Sequence, residues 1–318
     1  MNKVIHRHKY PLPWIHDILT RWSGYSFFSK LDVSLQYYAF ALDEESQKLG
    51  VISSPFGLFK YKCLPMGVKQ SSDIAQEVME SIFNNLETVK VYIDDVGCFL
   101  YHFDEHLQTL SIVLNRLEEN GFTVNPAKCE WAVMETDWLG YWLTLTGLKP
   151  WSKMIQAILA LQAPQNIKQV WSCIGAVTYY CDMWPHRSHI LAPLTYLTGN
   201  GPYIWNSIHQ MAFDDMKALM TKDILLSYPD HNLPFNIYTD ASDYQLGAVI
   251  FQKNTHVAYY SCKLSAAQRN YTTIEKELLS VIATLNEFRS MLFGAEIHIF
   301  TDHCNLTFTT LSTQCFLC

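Results

Sequence analysis

The sequence predicts an α+β fold in which helices cover one face of an antiparallel sheet. Two apolar runs flank an Asp-Asp pair within residues 89–100, a pattern typical of a β-hairpin. Apolar residues recur at helical spacing over residues 71–86 and 106–119. In the second helix one face is predicted to carry Leu107, Leu110, Val113, Leu114 and Leu117, and Asn120-Gly121 closes the helix. A further short strand is predicted over residues 25–32. Helices and strands of these kinds bury their apolar surfaces as two packed layers.

Composition shifts divide the chain into three predicted domains, at residues 1–150, 151–228 and 229–318. After Pro150 the pattern becomes a run of helical pieces interrupted by prolines, and residues 230–234 form a turn-rich linker. The last domain has an α/β pattern of three strands, a helix and another strand. In that helix, Thr272 and Glu275 predict a capping box and Gly294 the end. The predicted core-facing stripe comprises Leu278, Leu279, Ile282 and Leu285.

Bulk properties exclude several classes of protein. The 318 residues are 49% hydrophobic and 17% charged, which argues against disorder. No apolar run is long enough to span a membrane and no secretory signal is apparent, so an intracellular, membrane-free protein with nine reduced cysteines is expected. The net charge of −7 disfavours nucleic-acid binding unless the carboxylates cluster around bound cations.

A first carboxylate cluster is predicted at the tip of the Asp-Asp hairpin. Asp94 and Asp95 lie between two apolar strands, and Asp32 ends an earlier one. Hard cations such as Mg²⁺ prefer carboxylate oxygens, and nucleotidyl transfer uses two cations about 4 Å apart. An Asp-Asp pair can equally be no more than a favoured turn sequence.

A second cluster is predicted in the last domain. Two strands end alike, in Thr239-Asp240 and Thr301-Asp302, and Glu277 projects from the capped helix between them. Acids from two strand ends and a covering helix can converge on a metal pair that activates water. The alternative for each acid is a solvated strand end.

The order of the motifs resembles that of reverse transcriptases, most closely the gypsy-type (Metaviridae) LTR retrotransposons. The runs that carry this resemblance are Phe28–Val33, Leu64–Val68, Tyr92–Asp95, Asn125–Cys129 and Trp138–Tyr141, followed by the ribonuclease H-like runs Tyr238–Asp243, Asn270–Leu279 and Thr301–His303. The resemblance implies a polymerase palm with partial fingers, a helical thumb-like segment and a ribonuclease H-like domain.

The resemblance also implies roles for individual residues. Asp32, Asp94 and Asp95 would be the catalytic metal ligands of the polymerase, and Asp240, Glu277 and Asp302 those of the nuclease. Tyr37 would be the aromatic gate that excludes ribonucleotides, although a packed strand aromatic is the alternative. The implied nucleotide-binding residues are Val33, Tyr37, Met66 and Tyr92, and the implied primer grip is Trp138, Leu139, Gly140 and Tyr141. Lys128 is given no role.

The implied cofactor is Mg²⁺, two per active site, with Mn²⁺ able to substitute. The implied partners are an RNA template, a DNA primer, an RNA–DNA hybrid and deoxynucleoside triphosphates, with protease and integrase domains in the same polyprotein. A cytoplasmic particle or the nucleus is the implied location.

The sequence departs from the family pattern in ways that bear on activity. Most of the fingers and the strand and helix with a fourth nuclease acid are expected to be missing, so the chain is interpreted as truncated at both ends. Gln36 replaces a small residue and is expected to crowd the incoming nucleotide. Other residues stand where the family has Arg or Lys, namely Trp171, Cys181, Cys262 and Cys304. Two alternatives therefore stay open: a catalytically inactive remnant that at most binds nucleic acid, and a stand-alone hybrid nuclease.

Overall fold

The Asp-Asp hairpin is present in the computed structural model, which describes residues 2, 5–199, 201–222, 224–303 and 306. The chain divides into two compact units, Met1–Trp138 and Leu139–Cys318. The observed division precedes the predicted boundary at residue 150, and the predicted boundary near 229 stays a prediction. Among the described residues, no helix is both long and apolar enough to cross a lipid bilayer.

The first unit combines a five-stranded sheet with a separate two-stranded hairpin. Its helices are α1 (Ile15–Thr20), α2 (Glu44–Leu49), α3 (Ser71–Ile82) and α4 (Phe103–Glu119). Its strands are β1 (Phe27–Ser34), β2 (Val51–Ser54), β3 (Gly57–Lys60), β4 (Val89–Tyr92), β5 (Asp95–Leu100), β6 (Thr123–Val124), β7 (Glu130–Val133) and β8 (Thr136–Trp138). The sheet has the order β4-β5-β1-β6, β7 also pairs with β1, and β2 pairs with β3.

One face of this sheet packs against α3 and α4, which confirms the predicted α+β arrangement. Leu31 of β1 and Val96 of β5 are fully buried there against Met79 of α3 and Val113 of α4. The opposite face carries an aromatic cluster in which Trp22 stacks on Trp138, with ring centroids 4.8 Å apart. The strands that carry the first set of acids are therefore held by packing on both faces.

Helix α4 differs from its prediction in one position. Leu107 was expected in the buried stripe, but it is 48% exposed, and the neighbouring His106 is fully buried instead. The His106 ring accepts or donates a 2.7 Å hydrogen bond with the hydroxyl of Ser29 in β1. This polar contact, which hydrophobic periodicity does not report, sets the rotation of the helix.

The second unit contains a helical region followed by a four-stranded sheet. Its helices are α5 (Ser152–Leu159), α6 (Ile167–Thr178), α7 (Arg187–Tyr196), α8 (Ser207–Met220), α9 (Thr273–Glu287) and α10 (Arg289–Leu292). Its strands are β9 (Tyr141–Leu143), β10 (Leu148–Pro150), β11 (Phe235–Ala241), β12 (Gln245–Gln252), β13 (Thr255–Lys263) and β14 (Ile297–Phe300). Strands β9 and β10 pair, and the larger sheet has the order β13-β12-β11-β14, with β14 parallel to β11.

Helix α9 confirms its predicted capping box and corrects two other predictions. Thr272 and Glu275 exchange the two hydrogen bonds of the box. The helix ends at Glu287, and Gly294 follows the separate helix α10 instead. The most buried side chains of α9 are not the predicted leucine stripe but Lys276, Glu277, Ser280 and Thr284. The reason is close approach: the Ser280 hydroxyl donates to the carbonyl of Gly247 at 3.0 Å.

Candidate functional site

The first set of acids meets where β1 lies beside the hairpin β4–β5. Asp32 and Asp95 are cross-strand partners in the antiparallel register. Asp94 occupies the turn, where its carbonyl accepts a 3.2 Å hydrogen bond from the backbone N–H of Val33. The turn also contains Ile93 at φ +57°, a left-handed conformation that is uncommon for a β-branched residue. The predicted acids are therefore adjacent, and the loop that joins them is strained.

A cleft of about 300 Å³ opens on this corner of the sheet. Its lining residues are Asp32, Val33, Ser34, Leu35, Gln36, Tyr37, Met66, Asp94, Asn125 and Lys128. The cleft thus gathers two predicted metal ligands and three predicted nucleotide-binding residues. Asp95 and Tyr92 are not part of the lining, and both are half-buried in the hairpin behind it.

The electrostatics of the cleft follow from burial and the clustering of like charges. Burial and the neighbouring Asp94 carboxylate raise the pKa of Asp95 to about 6. Burial and the Asp94 charge also raise the pKa of the Tyr37 phenol. Both effects indicate an excess of negative charge that a cation would relieve.

Lys128 is a residue of the cleft to which the sequence assigned no role. Its Nζ atom lies 3.3 Å from Oδ2 of Asp32. The turn that places it is built by Asn125, whose carbonyl accepts from the N–H groups of Lys128 and Cys129 and whose own N–H donates to the carbonyl of Asp32. The sequence run Asn125–Cys129 drew attention to this segment, but nothing in the run predicts that Lys128 contacts an aspartate 96 residues away.

Gln36 is buried beside the hairpin turn. Its side chain is 2% exposed, and its amide nitrogen donates to the carbonyl of Ile93 at 3.0 Å. The side chain is therefore directed toward the hairpin turn, although the residue also contributes to the cleft wall. The expectation that it crowds an incoming nucleotide stays a prediction.

The four residues of the predicted primer grip lie on both sides of the division between the units. Trp138 is 2% exposed within the aromatic cluster of the first unit. In the second unit, Leu139 and Gly140 both have positive φ, and Tyr141 is buried against Tyr179 and Tyr180. The φ of +75° favours glycine at residue 140, and a Cβ atom there would make a tight 3.0 Å contact with the Tyr179 ring. The contact of these residues with a primer stays a prediction.

The second set of acids lies at one end of the sheet in the second unit. Asp240 is exposed on β11, and Asp302 is exposed two residues beyond β14, so only the first of them lies within a strand. Glu277 is 3% exposed, and its Oε1 accepts a 3.1 Å hydrogen bond from the N–H of Ala241. Burial, followed by the charges of Asp302 and Asp240, raises the pKa of Glu277.

The Glu277 carboxylate has the burial and the free oxygen that a divalent cation could use. Its Oε2 atom is buried and has no hydrogen-bond partner among the described residues. A divalent cation between Glu277 and the neighbouring acids would satisfy that oxygen, and all donors are the hard carboxylates that Mg²⁺ prefers. Within the described part of the chain, no three acidic, histidine or cysteine side chains are already arranged as a metal-ligand set.

The residues that the resemblance aligns with Arg or Lys of the family are dispersed through the second unit. Trp171 is 57% exposed on α6, Cys181 is partly buried and Cys262 is exposed on β13. Cys304 lies outside the described residues. These replacements form no common site within the structure as described.

Two family models match separate segments of the chain. Residues 1–143 match the family described as reverse transcriptase (RNA-dependent DNA polymerase). Residues 205–299 match the family described as an RNase H-like domain found in reverse transcriptase.

Transposon polyproteins are similar along nearly the whole chain. The retrovirus-related Pol polyprotein from transposon opus of Drosophila melanogaster is 29% identical over 97% of this chain and 33% of its own length. The Tf2-3 polyprotein of Schizosaccharomyces pombe is 29% identical over 96% of this chain and 24% of its own length. The chain therefore spans about a third or less of these relatives.

Solved structures support the fold. The foamy viral protease-reverse transcriptase in complex with an RNA/DNA hybrid has a TM-score of 0.83 and 23% identity, over 94% of this chain and 42% of that one. A second structure of that protein, in complex with double-stranded DNA, has a TM-score of 0.86 and 23% identity, over 94% of this chain and 54% of that one.

Proposed function

We propose that this chain, which carries a reverse transcriptase domain followed by an RNase H-like domain of the retrotransposon kind, is an RNA-directed DNA polymerase with an associated ribonuclease H activity. Its substrates are an RNA template, a DNA primer and deoxynucleoside triphosphates, and the RNA strand of an RNA–DNA hybrid. The motif runs that resemble gypsy-type elements favour that lineage within the retrotransposons. The location is intracellular, within a larger polyprotein that also carries protease and integrase domains.

The observation that carries this proposal is the composition of the cleft. Asp32 and Asp94 line it together with Tyr37, Met66 and the cation of Lys128. A volume of about 300 Å³ is open enough to admit part of a nucleotide beside the two carboxylates. The two acids can hold the cations of nucleotidyl transfer, and the apolar, aromatic and lysine side chains beside them can contact the base, sugar and phosphates of a nucleotide.

The residues of the cleft have separable tasks. When bound, a pair of divalent cations activates the primer 3′-hydroxyl and neutralises the charge of the leaving pyrophosphate. Asp32, Asp94 and Asp95 would hold these cations, since burial and repulsion between Asp94 and Asp95 already favour added positive charge. Tyr37 lines the cleft, where its ring would contact the sugar of a bound nucleotide, and Lys128 supplies a cation that can contact a phosphate.

Primer extension tests the polymerase activity. The chain is incubated with poly(rA)/oligo(dT), dTTP and Mg²⁺ or Mn²⁺, and extension is expected for the wild type. The Asp94→Asn/Asp95→Asn double variant should lose extension, whereas Asp104→Asn, an exposed acid on α4, should retain it. Extension by the double variant would contradict the metal-site assignment, and no extension by the wild type would favour the inactive, nucleic-acid-binding alternative.

Hybrid cleavage tests the second activity separately. Glu277 would hold a cation with Asp240 and Asp302, so Glu277→Gln should abolish cleavage of a labelled RNA strand paired with DNA. Glu287→Gln, an exposed acid on the last turn of the same helix, is the matched control and should cleave normally. Cleavage without polymerisation by the wild type would support the stand-alone nuclease instead.

A further inference from the structure

The strained residue of the metal-binding hairpin is held on both of its backbone polar groups by buried glutamines. Ile93 has φ +57°, its N–H donates to Oε1 of Gln76 at 2.7 Å, and its carbonyl accepts from Nε2 of Gln36 at 3.0 Å. We propose that Gln36 and Gln76 are positioning residues that fix the hairpin turn and thereby the separation of Asp94 and Asp95. This inference rests on the proposed polymerase function.

The orientation of the Gln76 side chain is fixed by its hydrogen bonds. Its side chain is fully buried, and its Nε2 donates to the carbonyl of Val91 at 3.0 Å and to Glu80 Oε1 at 2.6 Å. The other Glu80 oxygen accepts from the hydroxyl of Tyr10. Because every donor and acceptor of the amide has a partner, the orientation of Gln76 is determined, and its Oε1 is directed at Ile93.

Gln36 is held by fewer contacts than Gln76. It lies in the 3₁₀ helix between β1 and α2 and is 2% exposed, so its only described side-chain bond, to Ile93, forms away from water. Its Oε1 atom is buried without a hydrogen-bond partner in the described part of the chain. Loss of the bond to Ile93 would leave the carbonyl of the turn without this donor, in a place that water does not reach freely.

The consequence follows from the position of Ile93. A β-branched residue leaves the left-handed region when its surroundings release it. Asp94 and Asp95 are the next two residues, so such a change would redirect both carboxylates relative to Asp32. Loss of either glutamine contact should therefore weaken cation binding before it affects binding of the nucleic acid.

Four variants of the full chain test this. Gln76→Met and Gln36→Met keep the side-chain length and remove the hydrogen bonds. Gln252→Met is the matched control, because Gln252 is likewise buried, at 3% exposed, and braces a loop in the other unit through bonds to Asp230 and Leu233. The double variant Gln76→Met/Ile93→Gly tests rescue, since glycine adopts positive φ without support.

Two measurements do not depend on catalysis. Hydrogen exchange of the segment around Ile93 should quicken about tenfold in Gln76→Met, as expected for loss of a buried hydrogen bond. Mn²⁺ affinity, measured by electron paramagnetic resonance on the chain alone, should fall about tenfold in the same variant and recover with Ile93→Gly. Gln252→Met should change neither quantity.

The kinetic measurement separates positioning from general stability. In primer extension, kcat should fall about tenfold in Gln76→Met, with the Kd for primer–template unchanged. If hydrogen exchange around Ile93 is unchanged in both glutamine variants, the glutamines do not brace the turn. If exchange is quicker but Mn²⁺ affinity stays at the wild-type value, the glutamines do not position the acids. If the wild type extends no primer, the proposed function fails while exchange and Mn²⁺ affinity still decide this inference.

Discussion

Lys128 Nζ lies 3.3 Å from Asp32 Oδ2, at the mouth of the cleft that also contains Asp94. The lysine side chain is 64% exposed and that of Asp32 is 27% exposed, so the pair is solvated and contributes little to stability. The pair matters because of where it lies: the exposed Lys128 ammonium group can leave Asp32 and contact a substrate phosphate instead.

Replacement of Lys128 by Met should therefore affect catalysis and spare folding. A charge-assisted contact to phosphate contributes about 1.5 kcal/mol or more, so kcat/KM for dTTP should fall about tenfold or more. The midpoint of thermal unfolding should stay within about 1 °C, as expected for an exposed ion pair. Lys48→Met, which breaks an exposed pair with Glu45, is the control. Wild-type kinetics in Lys128→Met would remove this lysine from the site.

Asp95 should make the metal-free chain less stable as the pH rises. Its folded pKa, raised to about 6 by burial and by Asp94, exceeds the ordinary value of 3.8, so the folded chain holds a proton that the unfolded chain has lost. The stability associated with this proton is complete below pH 3.8 and is lost as the pH rises through about 6.

Asp95→Asn should accordingly raise the unfolding midpoint by about 2–4 °C at pH 7.5 in EDTA, and by much less at pH 4.5. Saturating Mn²⁺ should reverse the order at pH 7.5, because only the wild type retains the full ligand set. A variant that is no more stable than the wild type in EDTA would contradict the repulsion between Asp94 and Asp95.

Tyr37 offers a test of sugar selection. If the ring excludes the ribose 2′-hydroxyl by collision, Tyr37→Ala should reduce the preference for dGTP over GTP about tenfold or more, since such overlaps cost about 1–3 kcal/mol. Tyr37→Phe keeps the ring and should keep the preference. An equal loss in both variants would assign the effect to the phenol oxygen instead.

Local patterns predicted the elements that their own residues determine. The hairpin of residues 89–100, helices α3 and α4 and the capping box of Thr272 all follow from alternation, helical spacing or a cap. The acids of both sets could be identified because the aspartates lie near strand ends and Glu277 lies in the second turn of a capped helix. These signals depend on neighbours a few residues apart, so one sequence contains them.

The contacts that set the geometry of the polymerase cleft are of another kind. Gln36 contacts Ile93, 57 residues away in sequence, and Lys128 contacts Asp32, 96 residues away. A single sequence does not reveal which distant residue a glutamine or a lysine will contact. Helix α9 illustrates the same limit, because the approach of Ser280 to Gly247 decides its buried face against the leucine pattern. Periodicity reports which faces are apolar, but tertiary hydrogen bonds decide which face is buried.

The bond between Ser29 and His106 gives the last prediction, because it connects α4 to the strand that ends in Asp32. The Ser29 hydroxyl accepts from the N–H of Ala132 at 2.8 Å and also shares a 2.7 Å hydrogen bond with Nε2 of His106. Burial lowers the pKa of His106 below its ordinary value of 6.5. Burial therefore disfavours the charged form of the ring, so protonation of His106 is expected to weaken its packing against β1.

The sign of the pH dependence is opposite to that of Asp95. Stability from the neutral ring is present above pH 6.5 and is lost as the pH falls through the lowered folded pKa, because the unfolded chain takes up the proton first. In an Asp95→Asn background, urea unfolding should show a lower free energy at pH 5.5 than at pH 7.5. His106→Phe should cost about 1–3 kcal/mol at pH 7.5 and flatten this slope, whereas His102→Gln, an exposed neighbour, should alter neither. A slope that survives His106→Phe would place the titrating group elsewhere in the first unit.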